Sequence, residues 1–164
     1  MGLINKLFGV KKDKSNIIVA PVQGEVVALS EVSDPTFGEE ILGKGVAINP
    51  TSGTVVSPVD GTIVLMFETG HAVSILSDSG VEVLIHIGLE TINLKGQFYK
   101  KYVKNGDKVN VGDKLIEFDL NAIKQAGYDI ITPIIICNTS DYSEVKTFIS
   151  KDLQVLDKII ELIN

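Results

Sequence analysis

The residues of this chain with the most evident chemistry are its only two histidines. His71 and His86 flank the turn sequence Ser-Asp-Ser-Gly at residues 77–80, and the β-branched runs on either side predict a β-hairpin. With a loop of two or four residues, His71 stands directly opposite His86, and Thr69 stands opposite Gly88. A three-residue loop would break this pairing. Directly opposed side chains have Cβ atoms about 4.5–5.5 Å apart, so both imidazoles could act on one small anion.

Two adjacent imidazoles suit three kinds of chemistry, of which metal binding is the first. Tetrahedral zinc normally takes three or four protein ligands, and the chain has no third histidine. A metal on His71 and His86 would need carboxylates or a partner protein as further ligands, and no metal site is predicted. Hydrolysis with histidine as the base is the second, but the sequence contains no G-x-S-x-G nucleophile motif.

Phosphoryl transfer through histidine itself is the third. An uncharged imidazole nitrogen is a nucleophile near neutral pH, because the unperturbed pKa of the ring is about 6.5. A neighbouring imidazole N–H and the Thr69 hydroxyl would stabilise the oxygens of the transferring group. The sequence contains no Walker-type loop to hold a nucleotide, so the phosphoryl group would have to come from another protein.

Composition argues against several classes of function. The 164 residues carry a net charge of −6, and lysines do not cluster with aromatic residues in the pattern of a nucleic-acid-binding site, which argues against nucleic-acid binding. Hydrophobic residues make up 45% without any tryptophan, which predicts an aliphatic core. Cys137, the only cysteine, follows an apolar run and is interpreted as a small buried hydrophobe. No secretory leader or bilayer-spanning run is evident, so a cytoplasmic location is expected.

Short Val- and Ile-rich segments with Gly and Pro between them predict an all-β fold, a sandwich or barrel. The best interior helix covers residues 120–127 and ends at a glycine. Residues 20–27 recur 37 positions later as residues 57–64, each with a Pro-Val-x-Gly corner, which indicates a duplicated β unit. The predicted strands are residues 17–20, 24–29, 46–49, 54–57, 61–67, 71–76, 81–87, 114–119 and 131–138.

The two ends of the chain differ from the middle. Residues 1–16 are expected to form an N-terminal tail, followed by a single domain over residues 17–164. The tail is amphipathic, with its apolar residues on one helical face and its lysines elsewhere. It fits either a soluble tail or a segment that contacts an anionic membrane surface through residues 2–12. Near the C-terminus, residues 154–162 echo residues 110–118, which favours a strand over a helix there.

Residues 80–92 read Gly-Val-Glu-Val-Leu-Ile-His-Ile-Gly-Leu-Glu-Thr-Ile. At every position this stretch resembles the signature of the glucose-type enzyme IIA proteins of the phosphoenolpyruvate-dependent sugar phosphotransferase system. Residues 20–25, 58–63, 67–72 and 111–119 are similar to that family as well. The resemblance covers roughly residues 17–138.

The resemblance implies an antiparallel β-sandwich built on a duplicated hybrid motif, with one or two short helical turns and no cofactor. It implies that His86 accepts a phosphoryl group from the histidine-containing phosphocarrier protein. His86 would then pass that group to a cysteine on the IIB domain of a membrane sugar permease. His71 would stabilise the phosphoryl group, and Thr69 would orient an imidazole by hydrogen bonding.

The resemblance also implies a docking surface for partners, an apolar depression around the histidines with acidic residues beside it. The matching positions hold Phe37, Ile41, Leu42, Phe67, Gly88 and Ile92, with Asp34 and Glu90 as the acidic residues. Each of these side chains has an alternative interpretation as ordinary core or solvated surface, and Leu42 fits the core equally well.

Other classes of protein remain open at this point. Biotinyl and lipoyl carrier domains share the corner at residues 57–64 and the turn at residues 109–117. They need a modifiable lysine at a hairpin tip, whereas Phe67 follows Met66 here. A purely regulatory protein that has lost phosphotransfer is disfavoured, because both histidines and Thr69 are present.

Overall fold

The computed structural model describes residues 16–164, in which the chain forms fourteen β-strands and two short α-helices. The strands are β1 (Asn16–Val19), β2 (Gly24–Ala28), β3 (Lys44–Pro50), β4 (Thr54–Val56), β5 (Gly61–Met66), β6 (Ala72–Ser77), β7 (Glu82–His86), β8 (Tyr99–Lys101), β9 (Lys108–Val109), β10 (Lys114–Phe118), β11 (Thr132–Ile136), β12 (Glu144–Thr147), β13 (Ser150–Leu153) and β14 (Lys158–Ile163). The helices are α1 (Pro35–Gly38) and α2 (Leu120–Gln125), and the 3-10 turns are Leu29–Glu31, Thr91–Leu94 and Thr139–Asp141.

The strands form one large sheet and two small ones, and every strand pair is antiparallel. The eight-stranded sheet has the order β13-β2-β3-β11-β7-β6-β5-β9, and the three-stranded sheets have the orders β1-β14-β12 and β4-β10-β8. The largest fully buried side chains are all isoleucine or leucine, among them Ile63, Ile85 and Leu115. The predicted all-β antiparallel fold and its aliphatic core are both confirmed.

The two Pro-Val-x-Gly corners bond to each other reciprocally. The Val19 N–H donates to the Pro58 carbonyl oxygen (3.3 Å). The Val56 N–H, 37 positions after Val19, donates to the carbonyl oxygen of Pro21 (2.8 Å), 37 positions before Pro58. The strands that follow the two corners also have corresponding neighbours, since β13 pairs with β2 and β9 pairs with β5. The echo in the sequence is therefore a duplication in the structure.

The C-terminal echo is structural as well. Strand β14 pairs with β1 in the way that β10 pairs with β4. In the turns before β10 and β14, the Asn110 N–H donates to Asp113 Oδ2 (2.8 Å) and the Gln154 N–H donates to Asp157 Oδ2 (3.0 Å). The predicted strand near the C-terminus is confirmed by β14.

The loop of the histidine hairpin, between β6 and β7, has three residues, 78–80. The Ser77 N–H donates to the Val81 carbonyl oxygen across the base of the loop (2.9 Å). Gly80 closes the loop with φ 96°, the left-handed conformation that three-residue hairpin loops use at their last position. The loop of two or four residues assumed in the sequence analysis is therefore wrong.

The three-residue loop shifts the ladder by one position. Ala72, rather than His71, stands opposite His86, and the Ile87 N–H donates to the His71 carbonyl oxygen (2.7 Å). Thr69 lies before the first residue of β6 and is outside the ladder. The predicted direct opposition of the two histidines, and of Thr69 and Gly88, is thus wrong.

Side chains around β7 alternate between a buried and a partly exposed face. Val81, Val83, Ile85 and Ile87 are completely buried, whereas His86 is partly exposed. Successive side chains of a strand point to opposite faces, so His86 is on the face of the sheet opposite to this aliphatic row.

Both helices begin at an aspartate. The predicted interior helix is confirmed as α2, where Asp119 Oδ1 accepts from the Ala122 N–H (3.1 Å) and Gly127 follows with φ 93°. Helix α1 was not predicted from the sequence; Asp34 Oδ1 accepts from the Thr36 N–H (3.0 Å) at its start. Helix α1 is a single turn, which is too short for a periodic pattern.

Cys137 is exposed, so its prediction as a buried residue is wrong. It comes directly after β11, a strand whose five residues are all buried, and the chain leaves the core at that point. Partial desolvation and the Glu82 carboxylate raise the pKa of the Cys137 thiol, which keeps it protonated.

The amphipathic segment predicted in the N-terminal tail lies outside the described residues. Among residues 16–164, no helix combines the length and the apolar character needed to cross a bilayer.

Candidate functional site

His86 is the last residue of β7, and its Nδ1 atom lies 2.7 Å from the carbonyl oxygen of Gly88. Because a carbonyl oxygen can only accept, Nδ1 carries the proton and donates it in this bond. In the neutral ring the other nitrogen, Nε2, is then unprotonated and has a lone pair available for an electrophile. The hydrogen bond therefore selects the tautomer of His86.

The position of Gly88 requires a glycine, both because of its backbone conformation and because there is no space for a side chain. Its φ is 86°, in the left-handed region that residues with side chains rarely adopt. A Cβ atom at this position would lie 2.6 Å from Thr91 Cγ2 and 3.0 Å from the Asp129 carbonyl oxygen. The Leu89 N–H donates to that same oxygen (2.9 Å), which fixes the peptide that follows Gly88.

A tight turn places His71 immediately before β6. The Gly70 N–H donates to the Phe67 carbonyl oxygen (2.8 Å), and Gly70 adopts φ 73°. A Cβ atom at Gly70 would lie 3.1 Å from Tyr99 Cβ, so a larger residue would crowd this turn. The turn thus positions the backbone of His71 directly before the first residue of β6.

The His71 ring is buried, at 2% exposure, and it is fixed by one side-chain hydrogen bond. Thr69 Oγ1 makes this bond with Nδ1 of His71. If the hydroxyl donates, the ring proton of His71 resides on Nε2, and Nε2 is then a donor for an anion. Thr69 thus has the position of an orienting residue for the His71 imidazole.

Four rings form a continuous row at the site. The His71 and His86 rings meet edge to face, with centroids 4.9 Å apart and an interplanar angle of 84°. Phe37 contacts the His86 ring at 4.9 Å, and Phe67 contacts the His71 ring at 5.3 Å. The histidines are therefore brought together as predicted, between two apolar rings.

Both imidazoles are neutral at pH 7. Burial, followed by the proximity of His86, lowers the pKa of His71 from 6.5 to about 4. Burial also lowers the pKa of His86, although the Gly88 carbonyl and the Asp34 carboxylate act in the opposite direction. Desolvation disfavours the charged ring in both cases, so the nucleophilic form of imidazole predominates at neutral pH.

The remaining residues of the predicted docking surface differ in exposure. Ile41 is 67% exposed, Ile92 55% and Leu42 40%, whereas Phe37 is 5% exposed and packs in a buried cluster beneath His86. Exposed apolar side chains of this size are typical of binding surfaces when they occur together.

The two acidic residues of that surface lie at different depths. Asp34 is half-buried, and its carboxylate is near enough to His86 to raise the pKa of the ring. Glu90 is exposed and adopts φ 58° in the loop after His86. Asp34 is thus the acidic residue of this surface whose charge acts on the pKa of His86.

One feature of the site was not predicted from the sequence. Gly88 was predicted as part of the docking surface, but its carbonyl oxygen is also the hydrogen-bond acceptor for His86 Nδ1. The sequence signal was a histidine two residues before a glycine.

In the part of the chain that the structure describes, no group of three or more His, Cys, Asp or Glu side chains is arranged to hold a metal ion.

Comparison with known proteins identifies the family. Residues 16–142 match the family model described as phosphoenolpyruvate-dependent sugar phosphotransferase system, EIIA 1. The glucose-specific EIIA component of Oceanobacillus iheyensis is 42% identical over 165 residues, which cover 99% of this chain and 100% of that protein. The beta-glucoside-specific EIIBCA component of Bacillus subtilis is 53% identical over 134 residues, which are 82% of this chain but only 22% of that longer protein.

A solved structure agrees with the sequence comparisons. The glucose permease IIA from Mycoplasma capricolum superposes with a TM-score of 0.84 at 35% identity, covering 93% of this chain and 99% of that one. The fold, the neutral histidine pair and these relatives lead to one conclusion. The chain belongs to the EIIA 1 family of the phosphoenolpyruvate-dependent sugar phosphotransferase system, and it is a phosphoryl carrier of that system.

Proposed function

We propose that the chain carries its phosphoryl group on Nε2 of His86. The observation that supports this most directly is the hydrogen bond from His86 Nδ1 to the Gly88 carbonyl oxygen, 2.7 Å long. It leaves Nε2 as the nucleophilic nitrogen, and the lowered pKa of His86 keeps that nitrogen unprotonated at neutral pH.

The donor is the histidine-containing phosphocarrier protein in its phosphohistidine form. The Nε2 lone pair of His86 forms a new P–N bond while the P–N bond of the donor breaks, and the released imidazole takes up a proton. In the second step a cysteine thiolate on a IIB domain attacks the phosphorus, a P–S bond forms, and His86 Nε2 recovers its lone pair. The proton on His86 Nδ1 stays hydrogen-bonded to the Gly88 carbonyl oxygen throughout.

His71 and Thr69 assist this carrier in different ways. His71 donates its Nε2–H to a phosphoryl oxygen on His86, for which an edge-to-face ring contact at 4.9 Å is suitable. Thr69 holds the His71 ring through Nδ1 and thereby leaves the proton on Nε2. His71 itself is disfavoured as the acceptor, because its ring is 2% exposed.

Partners dock on the surface around the two histidines. Its centre is apolar, and its rim carries acidic groups that would face basic residues of a partner. The residues assigned to this surface are Asp34, Phe37, Ile41, Phe67, Gly88, Glu90 and Ile92. The same surface serves both the phosphocarrier and the IIB domain of a sugar permease, since both must reach His86 Nε2. Relatives named as EIIBCA components are consistent with a IIB partner.

The decisive experiment is phosphorylation of the purified chain by phosphoenolpyruvate, enzyme I and the phosphocarrier. We expect one acid-labile phosphoryl group, located on His86 and absent from His86→Gln. Omission of the phosphocarrier is the control and should abolish labelling. Phosphate on His71 alone, or no transfer to the wild-type chain, would overturn the assignment.

A cytoplasmic location follows from this role, because both transfer partners must meet the chain in the same compartment.

We also propose that residues 2–12 give the chain a peripheral contact with anionic membrane. Deletion of these residues should weaken binding to vesicles containing phosphatidylserine and leave phosphotransfer between soluble components unchanged. Equal vesicle binding by the full chain and the deletion variant would refute the contact.

A further inference from the structure

The carbonyl oxygen of Ile87, directly between His86 and Gly88, accepts hydrogen bonds from two side-chain hydroxyls. Thr91 Oγ1 donates to it over 2.7 Å and Tyr99 Oη over 2.8 Å. Thr91 is fully buried, and Tyr99 is partly buried. A carbonyl oxygen has two lone pairs, so these two donors occupy both of them.

This pair of hydroxyls fixes the plane of the peptide that precedes Gly88. The N–H of the same residue, Ile87, donates to the His71 carbonyl oxygen (2.7 Å), so Ile87 is bonded at both ends. The peptide after Gly88 is fixed independently, since the Leu89 N–H donates to the Asp129 carbonyl oxygen (2.9 Å). Gly88 therefore lies between two immobilised peptides, and its own carbonyl direction is determined by them.

We propose that Thr91 and Tyr99 are positioning residues, which hold the Gly88 carbonyl against His86 Nδ1 and so keep Nε2 as the nucleophile. The inference rests on the proposed function of His86. Neither side chain touches the reacting atoms; both act through the Ile87–Gly88 peptide. Thr91 adds a packing contact, because its Cγ2 occupies the space next to Gly88 that a Cβ would enter.

The environment of Tyr99 keeps its hydroxyl protonated, so that it always has a proton to donate in a hydrogen bond. Burial raises the pKa of Tyr99 to about 12, so the hydroxyl remains protonated over the working range of the enzyme system. The ring packs against Phe118 at 6.3 Å, a contact that Tyr99→Phe would retain. The substitution therefore removes one hydrogen-bond donor while the packing of the ring is preserved.

The test compares Tyr99→Phe, Thr91→Val and the double variant with Thr91→Ser, which keeps the hydroxyl. Tyr102→Phe is the matched control, because Tyr102 is an exposed tyrosine whose hydroxyl donates to Glu117 away from the site. The tautomer of His86 is read from ¹⁵N NMR of histidine-labelled, unphosphorylated protein. Phosphoryl transfer from the phosphocarrier is measured separately, with kcat and KM resolved.

We expect a single Nδ1-protonated tautomer in the wild type, Thr91→Ser and Tyr102→Phe. An Nε2-protonated fraction should appear in the double variant, and a smaller one in Tyr99→Phe. The kcat for phosphoryl acceptance should fall roughly 3-fold in Tyr99→Phe and in Thr91→Val and about 10-fold in the double variant, with KM unchanged, which is the scale of one or two lost hydrogen bonds.

A double variant that keeps the wild-type tautomer would overturn the proposal. If the double variant does not fold, Tyr99→Phe decides the question by the same two measurements, because it removes only one oxygen atom. The NMR measurement needs no phosphoryl transfer. Failure of the wild type to be phosphorylated would thus refute the proposed function, whereas an unchanged tautomer would refute the positioning role.

Discussion

The imidazole rings of His71 and His86 meet edge to face at a centroid distance of 4.9 Å, although the two residues are not opposed in the strand ladder. The turn that ends at Gly70 places His71 beside β6, and β7 itself places His86. Two different backbone elements thus converge on one site. The convergence gives each ring a different hydrogen-bond partner, the Thr69 hydroxyl for His71 and the Gly88 carbonyl for His86.

Because the two rings have different hydrogen-bond partners, replacement of His71 should affect the acceptance and the onward donation of the phosphoryl group differently. In His71→Gln, His86 keeps its bond to Gly88 and should still accept the phosphoryl group. Onward donation to the IIB cysteine should slow by about 10²-fold, the usual effect of removing one preorganised donor to a charged transition state. Single-turnover rates of each step, measured with purified phosphocarrier and IIB domain, separate the two effects. Full activity of His71→Gln in both steps would contradict a stabilising role.

Thr69 is expected to act through its hydroxyl alone. Thr69→Val keeps the shape of the side chain but removes the bond to His71 Nδ1. The rate of donation to the IIB domain should fall roughly 3- to 10-fold, in line with the loss of one hydrogen bond. Thr69→Ser restores the hydroxyl and is the matched control. If Thr69→Ser were as slow as Thr69→Val, the methyl group rather than the hydroxyl would be the important part.

Much of this site follows from local patterns in the sequence. The buried row of Val81, Val83, Ile85 and Ile87 was readable because alternation needs no tertiary information. The corners at residues 20–27 and 57–64 were readable as a repeat, but their reciprocal hydrogen bonds join segments distant in the chain. Such pairings depend on the assembled fold.

The register of the hairpin formed by β6 and β7 is not determined by the sequence alone. Ser-Asp-Ser-Gly is compatible with loops of two, three or four residues, and the choice depends on Gly80 adopting a left-handed conformation. Cys137 shows the same limitation, because an apolar run does not reveal where a strand leaves the core. His71 and His86 were nevertheless identified correctly as neighbours, because the turn before β6 compensates for the shifted register.

Acid should destabilise the fold through His71. The unfolded ring has a pKa near 6.5 and the folded ring one of about 4, so between these values the unfolded state binds more protons. The stability contributed by the neutral ring is complete above pH 6.5 and is lost as the pH falls towards 4, by up to about 3 kcal/mol. Urea denaturation from pH 8 to pH 4 should show a steeper loss in wild type than in His71→Gln. A constant difference between the two proteins over this range would exclude His71 as the group responsible.

Gly88 should be less tolerant of a side chain than Gly80, although both have a positive φ. Gly80→Ala adds a Cβ with nothing within 4 Å, so it should cost only the left-handed backbone penalty of about 1–2 kcal/mol. Gly88→Ala meets the same penalty, and its Cβ also lies 2.6 Å from Thr91 Cγ2 and 3.0 Å from the Asp129 carbonyl oxygen. Relief of that contact must move the peptide whose carbonyl binds His86 Nδ1.

Gly88→Ala should therefore lose more free energy of unfolding than Gly80→Ala in urea titrations, and only Gly88→Ala should also accept phosphoryl groups more slowly. Gly80 is a suitable control because its loop joins the same two strands at the end remote from His86. Equal stability losses with equal phosphorylation rates would mean that the space around Gly88 relaxes without disturbing the histidine. A slower rate in Gly88→Ala, with the fold intact, would instead tie the direction of one glycine carbonyl to the reactivity of the ring two residues before it.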